Sequence, residues 1–109
     1  MSFKRAVICA LALAALLVSS PAAAICGIPI SCGAGCICGS TCADTLFGDA
    51  GNNCIKANGD DDTVYGQAGN DSLYGEGGND SLDGGSGYDF LDGGSGADVC
   101  TNGEVVVNC

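Results

Sequence analysis

Gly75-Glu-Gly-Gly-Asn-Asp-Ser-Leu-Asp83 runs without a gap into Gly84-Gly-Ser-Gly-Tyr-Asp-Phe-Leu-Asp92, and the two nonamers agree at the first, fourth, sixth, eighth and ninth places. Working outward, Gly66–Tyr74 precedes them and Gly93–Thr101 follows in the same frame. Ala57–Tyr65, Gly48–Lys56 and Gly39–Phe47 extend it backwards, so seven units keep phase with no insertion. The sixth place holds Asp44, Asn53, Asp62, Asp71, Asp80, Asp89 and Asp98. The eighth holds Leu46, Ile55, Val64, Leu73, Leu82, Leu91 and Cys100. Carried further, the frame puts Ile28 and Ile37 before the array, and Cys109 after it, at the eighth place, where flanks without the Gly/Asp turn read as end caps.

A Gly/Asp/Asn-rich segment can be a solvated linker, because such residues dominate turns and chains of low hydrophobicity fail to fold. A linker has no reason to place an aliphatic residue or cysteine at every ninth position. Strict phase instead demands units that stack, each burying what it cannot bury alone. The pattern G-G-x-G-x-D-x-U-x resembles the hemolysin-type calcium-binding repeat of RTX proteins, over Gly39 to Thr101 and most closely from Gly66 to Asp98. The resemblance implies an all-β fold, a right-handed parallel β-roll (a β-solenoid) of six-residue turns and three-residue strands, two nonamers to a coil. Residues eighteen apart then stack. The sixth-place row divides into Asp44, Asp62, Asp80 and Asp98 on one edge and Asn53, Asp71 and Asp89 on the other.

The cofactor so implied is calcium, and the residue types agree. A hard cation takes six to eight oxygen ligands, and carboxylates mixed with backbone carbonyls suit it. Glycines at the first, second and fourth places let the chain adopt positive φ and bring carbonyls inward with no Cβ in the way. The candidate metal residues are Asp62, Asp71, Asp80, Asp89 and Asp98, with the first-place Gly66, Gly75, Gly84 and Gly93. Asp44 and Asn53 complete the rows as poorer donors: Thr41 and Cys42 stand where glycine is favoured before Asp44, and Asn53 offers only a neutral amide oxygen. One aliphatic side chain per nine residues is a thin core against the ordering of the whole unit, and stacked carboxylates repel. Folding is therefore expected to be coupled to metal binding.

The N-terminus supplies the context. Lys4 and Arg5, an apolar run from Ala6 to Val18 and Ala22-x-Ala24 read as a secretory leader cleaved after Ala24, too short for a membrane span. Ile25 directly before Cys26 fits lipid attachment badly. Four segments follow: leader 1–24, cysteine-rich N-terminal cap 25–38, repeats 39–101 and C-terminal cap 102–109. Lys56 alone then opposes thirteen carboxylates, so nucleic acid and anionic lipid are poor partners. Export favours disulfides over a thiolate metal cluster for Cys32, Cys36, Cys38 and Cys42. The roll implied by the resemblance pairs Cys100 with Cys109 and Cys36 with Cys54, which would stand on neighbouring strands; the partners of the other four cysteines stay open among up to four disulfides.

With no histidine, no G-x-S-x-G and no H-E-x-x-H, catalysis is not expected. The reading is an extracellular, periplasmic or cell-surface calcium-binding module with a structural, surface or adhesion role toward an unidentified surface or matrix partner. Two rivals stand beside it. An ice-binding solenoid needs a regular threonine face, whereas the outward places run Thr45/Phe47, Thr63/Tyr65, Ser81/Asp83 and Val99/Thr101. A disulfide-rich toxin or inhibitor would use the Ile25–Cys42 segment as its active surface.

Overall fold

A computed structural model describes residues 30–32 and 35–109. The leader, its cleavage point, Cys26 and Ile28 lie outside them. Strands are β1 (Ile30–Ser31), β2 (Ile37–Cys38), β3 (Thr45–Phe47), β4 (Cys54–Asn58), β5 (Thr63–Tyr65), β6 (Ser72–Glu76), β7 (Ser81–Asp83), β8 (Phe90–Asp92), β9 (Val99–Thr101) and β10 (Val105–Val107). They alternate between two sheets, β1-β2-β4-β6-β8-β10 and β3-β5-β7-β9, parallel except for the antiparallel start β1-β2. This is the parallel β-roll that the repeat implies. Among the described residues no helix is long and apolar enough to cross a membrane.

Register is set by the eighth place. Ile37, Ile55, Leu73 and Leu91 face one another up one sheet, and Leu46, Val64, Leu82 and Cys100 up the other. Because strand side chains alternate, the eighth place points inward while the seventh and ninth point out. Leu46, Ile55, Val64, Leu73, Leu82 and Leu91 are fully buried in one core with Ile37 and Ala57, and Cys100 packs on it. A one-residue slip of any strand would turn its inward residue to solvent, so this sparse row still fixes the stacking. The outward faces carry a stacked pair, Phe47 on Tyr65 with centroids 5.1 Å apart, and a tilted pair, Tyr74 with Phe90 at 5.8 Å.

The frame does not continue to Cys109 at the eighth place. β10 pairs with β8 so that Val106, not Cys109, stands opposite Leu91. The last coil therefore needs fifteen residues where the others use eighteen: its turn, Asn102-Gly103-Glu104, is three residues long instead of six. The Cys100–Cys109 disulfide is present, with Cα atoms 5.9 Å apart, but Cys109 reaches back from beyond β10 and is exposed. Cys36–Cys54 joins successive coils, Cα–Cα 4.6 Å, and Cys32–Cys38 closes the first hairpin. Cys42 is oxidised as well. β2, within the segment expected as a cap, is already a strand of the larger sheet in register with β4.

Candidate metal centre

The sixth-place residues from Asp44 to Asp89 each hydrogen-bond the next coil through their backbone N–H. The N–H groups of Asp44, Asp62 and Asp80 donate to Oδ1 of Asp62, Asp80 and Asp98 at 2.7, 2.8 and 2.7 Å. On the other edge, Asn53 and Asp71 donate to Oδ1 of Asp71 and Asp89 at 2.7 and 2.8 Å. The two rows read from the sequence are thus two continuous ladders. One carboxylate oxygen of each rung is used. The other, Oδ2 of Asp62, Asp80, Asp89 and Asp98, is buried and accepts no hydrogen bond. A buried acceptor left in that state costs about 1–3 kcal/mol, more when charged.

The first-place glycines stand against these oxygens. A Cβ on Gly66 would lie 2.5 Å from Asp71 Oδ2 and 2.6 Å from the Gly84 carbonyl oxygen. On Gly75 it would collide with Asp80 Oδ2 and lie 2.5 Å from the Gly93 carbonyl oxygen. On Gly84 it would lie 2.7 Å from Asp89 Oδ2 and collide with the Asn102 carbonyl, and on Gly93 it would meet Asp98 Oδ2 at 2.6 Å and the Asn108 carbonyl. So the glycine requirement splits in two. The first place needs glycine for close approach and does not take positive φ, contrary to the expectation. Positive φ belongs to the second and fourth places: Gly85, Gly94, Gly69, Gly78, Gly87 and Gly96, joined by Asn58, Gln67, Glu76 and Asp60.

Buried carboxylate oxygens beside backbone carbonyls are an oxygen-only donor set fit for a hard divalent cation. Among the described residues no three carboxylate or cysteine side chains converge. A cation in a turn would therefore draw much of its coordination from carbonyls. Among the described residues no cationic side chain competes for the rows, because Lys56 is at the surface, 3.7 Å from Glu76 and 5.6 Å from the centroid of the Tyr74 ring. Burial pushes the Asp62 carboxyl up to about 7. The Asp44 N–H bond opposes this, and Asp80, Asp44 and Asp60 add to it. Asp80 is raised too, first by burial, with Asp98 and Asp61 adding. These groups resist ionisation until positive charge is supplied.

The first two turns are built differently. Asp44 Oδ2 accepts from the Ser40 N–H at 2.5 Å and the Ser40 hydroxyl at 2.8 Å. Asn53 Oδ1 accepts from Asp49 N–H at 2.6 Å, while Asn53 Nδ2 donates to Asp49 Oδ1 at 2.9 Å. The first-place carbonyls are occupied as well: Asn58 Nδ2 donates to Gly39 O at 2.7 Å and Gln67 Nε2 to Gly48 O at 2.8 Å. From Ala57 onward the stacked second place is Glu76, Gly85 or Gly94, which have no side-chain donor to offer. Here amides stand where later turns leave oxygens open.

A second ladder escaped the sequence reading. At the fifth place, Asn52 Oδ1 accepts from Asn70 N–H and Asn70 Oδ1 from Tyr88 N–H, at 2.8 and 3.0 Å. On the other edge Asp61 Oδ1 accepts from Asn79 N–H and Asn79 Oδ1 from Ala97 N–H, at 2.7 and 2.9 Å. Asn and Asp are ordinary in turns, so only their recurrence at one place carried the signal.

Fold and donor set together define a parallel β-solenoid with oxygen-lined turns. The model of the RTX calcium-binding nonapeptide repeat matches residues 39–73, 57–91 and 74–104, and the chain belongs to this family, with calcium as its metal. Comparison with curated proteins and with solved structures found no match.

Proposed function

We propose that this chain is an exported structural module whose turns from Asp62 onward take calcium and which completes its folding when calcium binds. The observation that carries the reading is the set of buried, unsatisfied Oδ2 atoms on Asp62, Asp80, Asp89 and Asp98 facing first-place glycines and carbonyls. Asp71 likewise presents its Oδ2 to a first-place glycine, Gly66. Asp62, Asp80, Asp89 and Asp98 with the facing carbonyls would hold the ion, which when bound would supply the positive charge that lets Asp62 and Asp80 ionise. Binding energy becomes folding energy, since the unfolded chain holds no preformed site. The disulfides suit an oxidising compartment. The rigid outward faces suit a surface or adhesion role.

The test is a calorimetric titration of the oxidised chain with calcium. We expect about two to four ions bound, with magnesium a poor competitor because it demands tight octahedral geometry and dehydrates reluctantly. Absence of binding at millimolar calcium would overturn the reading.

A further inference from the structure

The shortened last coil leaves Asp89 without the sixth-place aspartate that every earlier rung meets one coil on. Eighteen residues on from Asp89 stands Val107, which cannot accept a hydrogen bond through its side chain. Glu104 takes that place instead: its Oε2 accepts the Asp89 N–H at 2.7 Å, as Asp80 Oδ1 accepts from Asp62 and Asp98 Oδ1 from Asp80. The backbone follows, with Glu104 N–H and Val105 N–H both donating to the Asp89 carbonyl at 3.1 Å. Asp89 itself is fully buried, and its Oδ2 accepts nothing. That oxygen and the Asn102 carbonyl crowd the same point beside Gly84.

We propose that Glu104 completes a further divalent-cation site, between the turn Gly84–Asp89 and the short terminal turn Asn102–Glu104. Its ligands from this chain are Asp89 Oδ2, the second carboxylate oxygen of Glu104 and neighbouring carbonyls, including that of Asn102. The two carboxylates balance one divalent ion. Val105 pairs with Phe90 as Val99 pairs with Ser81, so Glu104 stands in register with Asp89 as Asp98 does with Asp80. The nonamer pattern cannot reveal this site, since Glu104 falls at its third place. The inference rests on calcium binding by the preceding turns.

The experiment uses calcium chloride and the oxidised, 13C,15N-labelled chain. The Glu104 carboxylate carbon should shift on calcium addition together with those of Asp80, Asp89 and Asp98. In Glu104→Gln, whose amide oxygen still accepts the Asp89 N–H, calorimetric stoichiometry should fall by one. The amides of Gly84–Asp89 should lose their calcium response while those of Gly75–Asp80 keep it. Hydrogen-exchange protection of the Asp89 amide in that variant, unchanged, separates cation binding from a purely structural role. A Glu104 carbon that stays still while Asp80 and Asp98 move overturns this site alone, and so does unchanged stoichiometry in the variant. If no carboxylate moves, the calcium reading of the whole array fails with it. Should the variant not fold, the wild-type carbon shifts decide.

Discussion

The first two turns and the later ones share a backbone and differ in what fills the space between coils. In Gly39–Asp44 and Gly48–Asn53 the side chains of Ser40, Asp49, Asn58 and Gln67 satisfy the sixth-place group or the first-place carbonyl. In Ala57–Asp62, Gly75–Asp80, Gly84–Asp89 and Gly93–Asp98 the carboxylate oxygen is buried and unsatisfied. The same repeat thus meets its oxygens with side-chain donors at its start and leaves them without donors later. An oxygen met by a donor of the chain needs nothing from solution; a buried carboxylate without a donor needs a cation. On the proposed function, the difference divides one solenoid into a start that meets its own oxygens, stapled by Cys36–Cys54, and an extension whose buried carboxylates call for a cation.

The largest effect should come from a chelator. Hydrogen exchange should then erase protection in β6 to β9 while β2 and β4 keep theirs, and restored calcium should return protection cooperatively. Uniform loss along the chain would erase the distinction. Sodium chloride is the control, because screening weakens carboxylate repulsion without supplying ligands.

Next in size are the row variants. Asp80→Ala removes a group that faces rungs on both sides, and should lower apparent calcium affinity at least about tenfold, more than Asp98→Ala at the end of the row. Asp44→Ala should leave stoichiometry unchanged and cost about 1–3 kcal/mol of stability, by stranding the buried Ser40 N–H and hydroxyl. Equal apparent calcium affinity in Asp80→Ala and wild type would contradict the stacking scheme.

Acidity gives a smaller, directional test. Asp62 without calcium has its folded pKa raised from 3.8 to about 7, so the folded extension holds a proton that the unfolded chain releases. That contribution is fully present below about pH 4 and is lost as pH rises through about 7. The calcium-free chain should therefore gain thermal stability on acidification from pH 8 toward pH 5. Calcium binding at pH 6 should release protons, seen as a calorimetric enthalpy that varies with buffer. Proton uptake on binding would reverse the assignment.

The smallest effect belongs to Gln67→Gly. It removes the donor to Gly48 O but also relieves a non-glycine residue at φ 81, so thermal denaturation should move by less than about 1 kcal/mol. A large loss would mean that the amide is indispensable to the start of the roll.

The period of nine carried the sixth-place and eighth-place rows, and the resemblance that it supports implied the roll, its two aspartate edges and two disulfides. What the period hid were departures from it. Glu104 and Val106 occupy roles that the frame assigned elsewhere, since a three-residue turn replaces a six-residue one and nothing local announces the deletion. Asn58 and Gln67, at the second place where glycine is favoured, are donors to the preceding coil. Cys32–Cys38 depends on the antiparallel pairing of β1 with β2, which lies outside the repeat altogether.

The placement of the cross-links has a mechanical consequence. Cys36–Cys54 fastens the first coils and Cys100–Cys109 the last, while no disulfide interrupts the residues between Cys54 and Cys100. Folded, that stretch climbs two and a half coils, roughly 12 Å at the strand spacing of about 4.8 Å. Drawn out, its residues reach on the order of 150 Å. Under tension in a calcium-poor medium the protein would lengthen by that slack and stop, with both knotted ends intact and ready to guide the coils back when the ion returns.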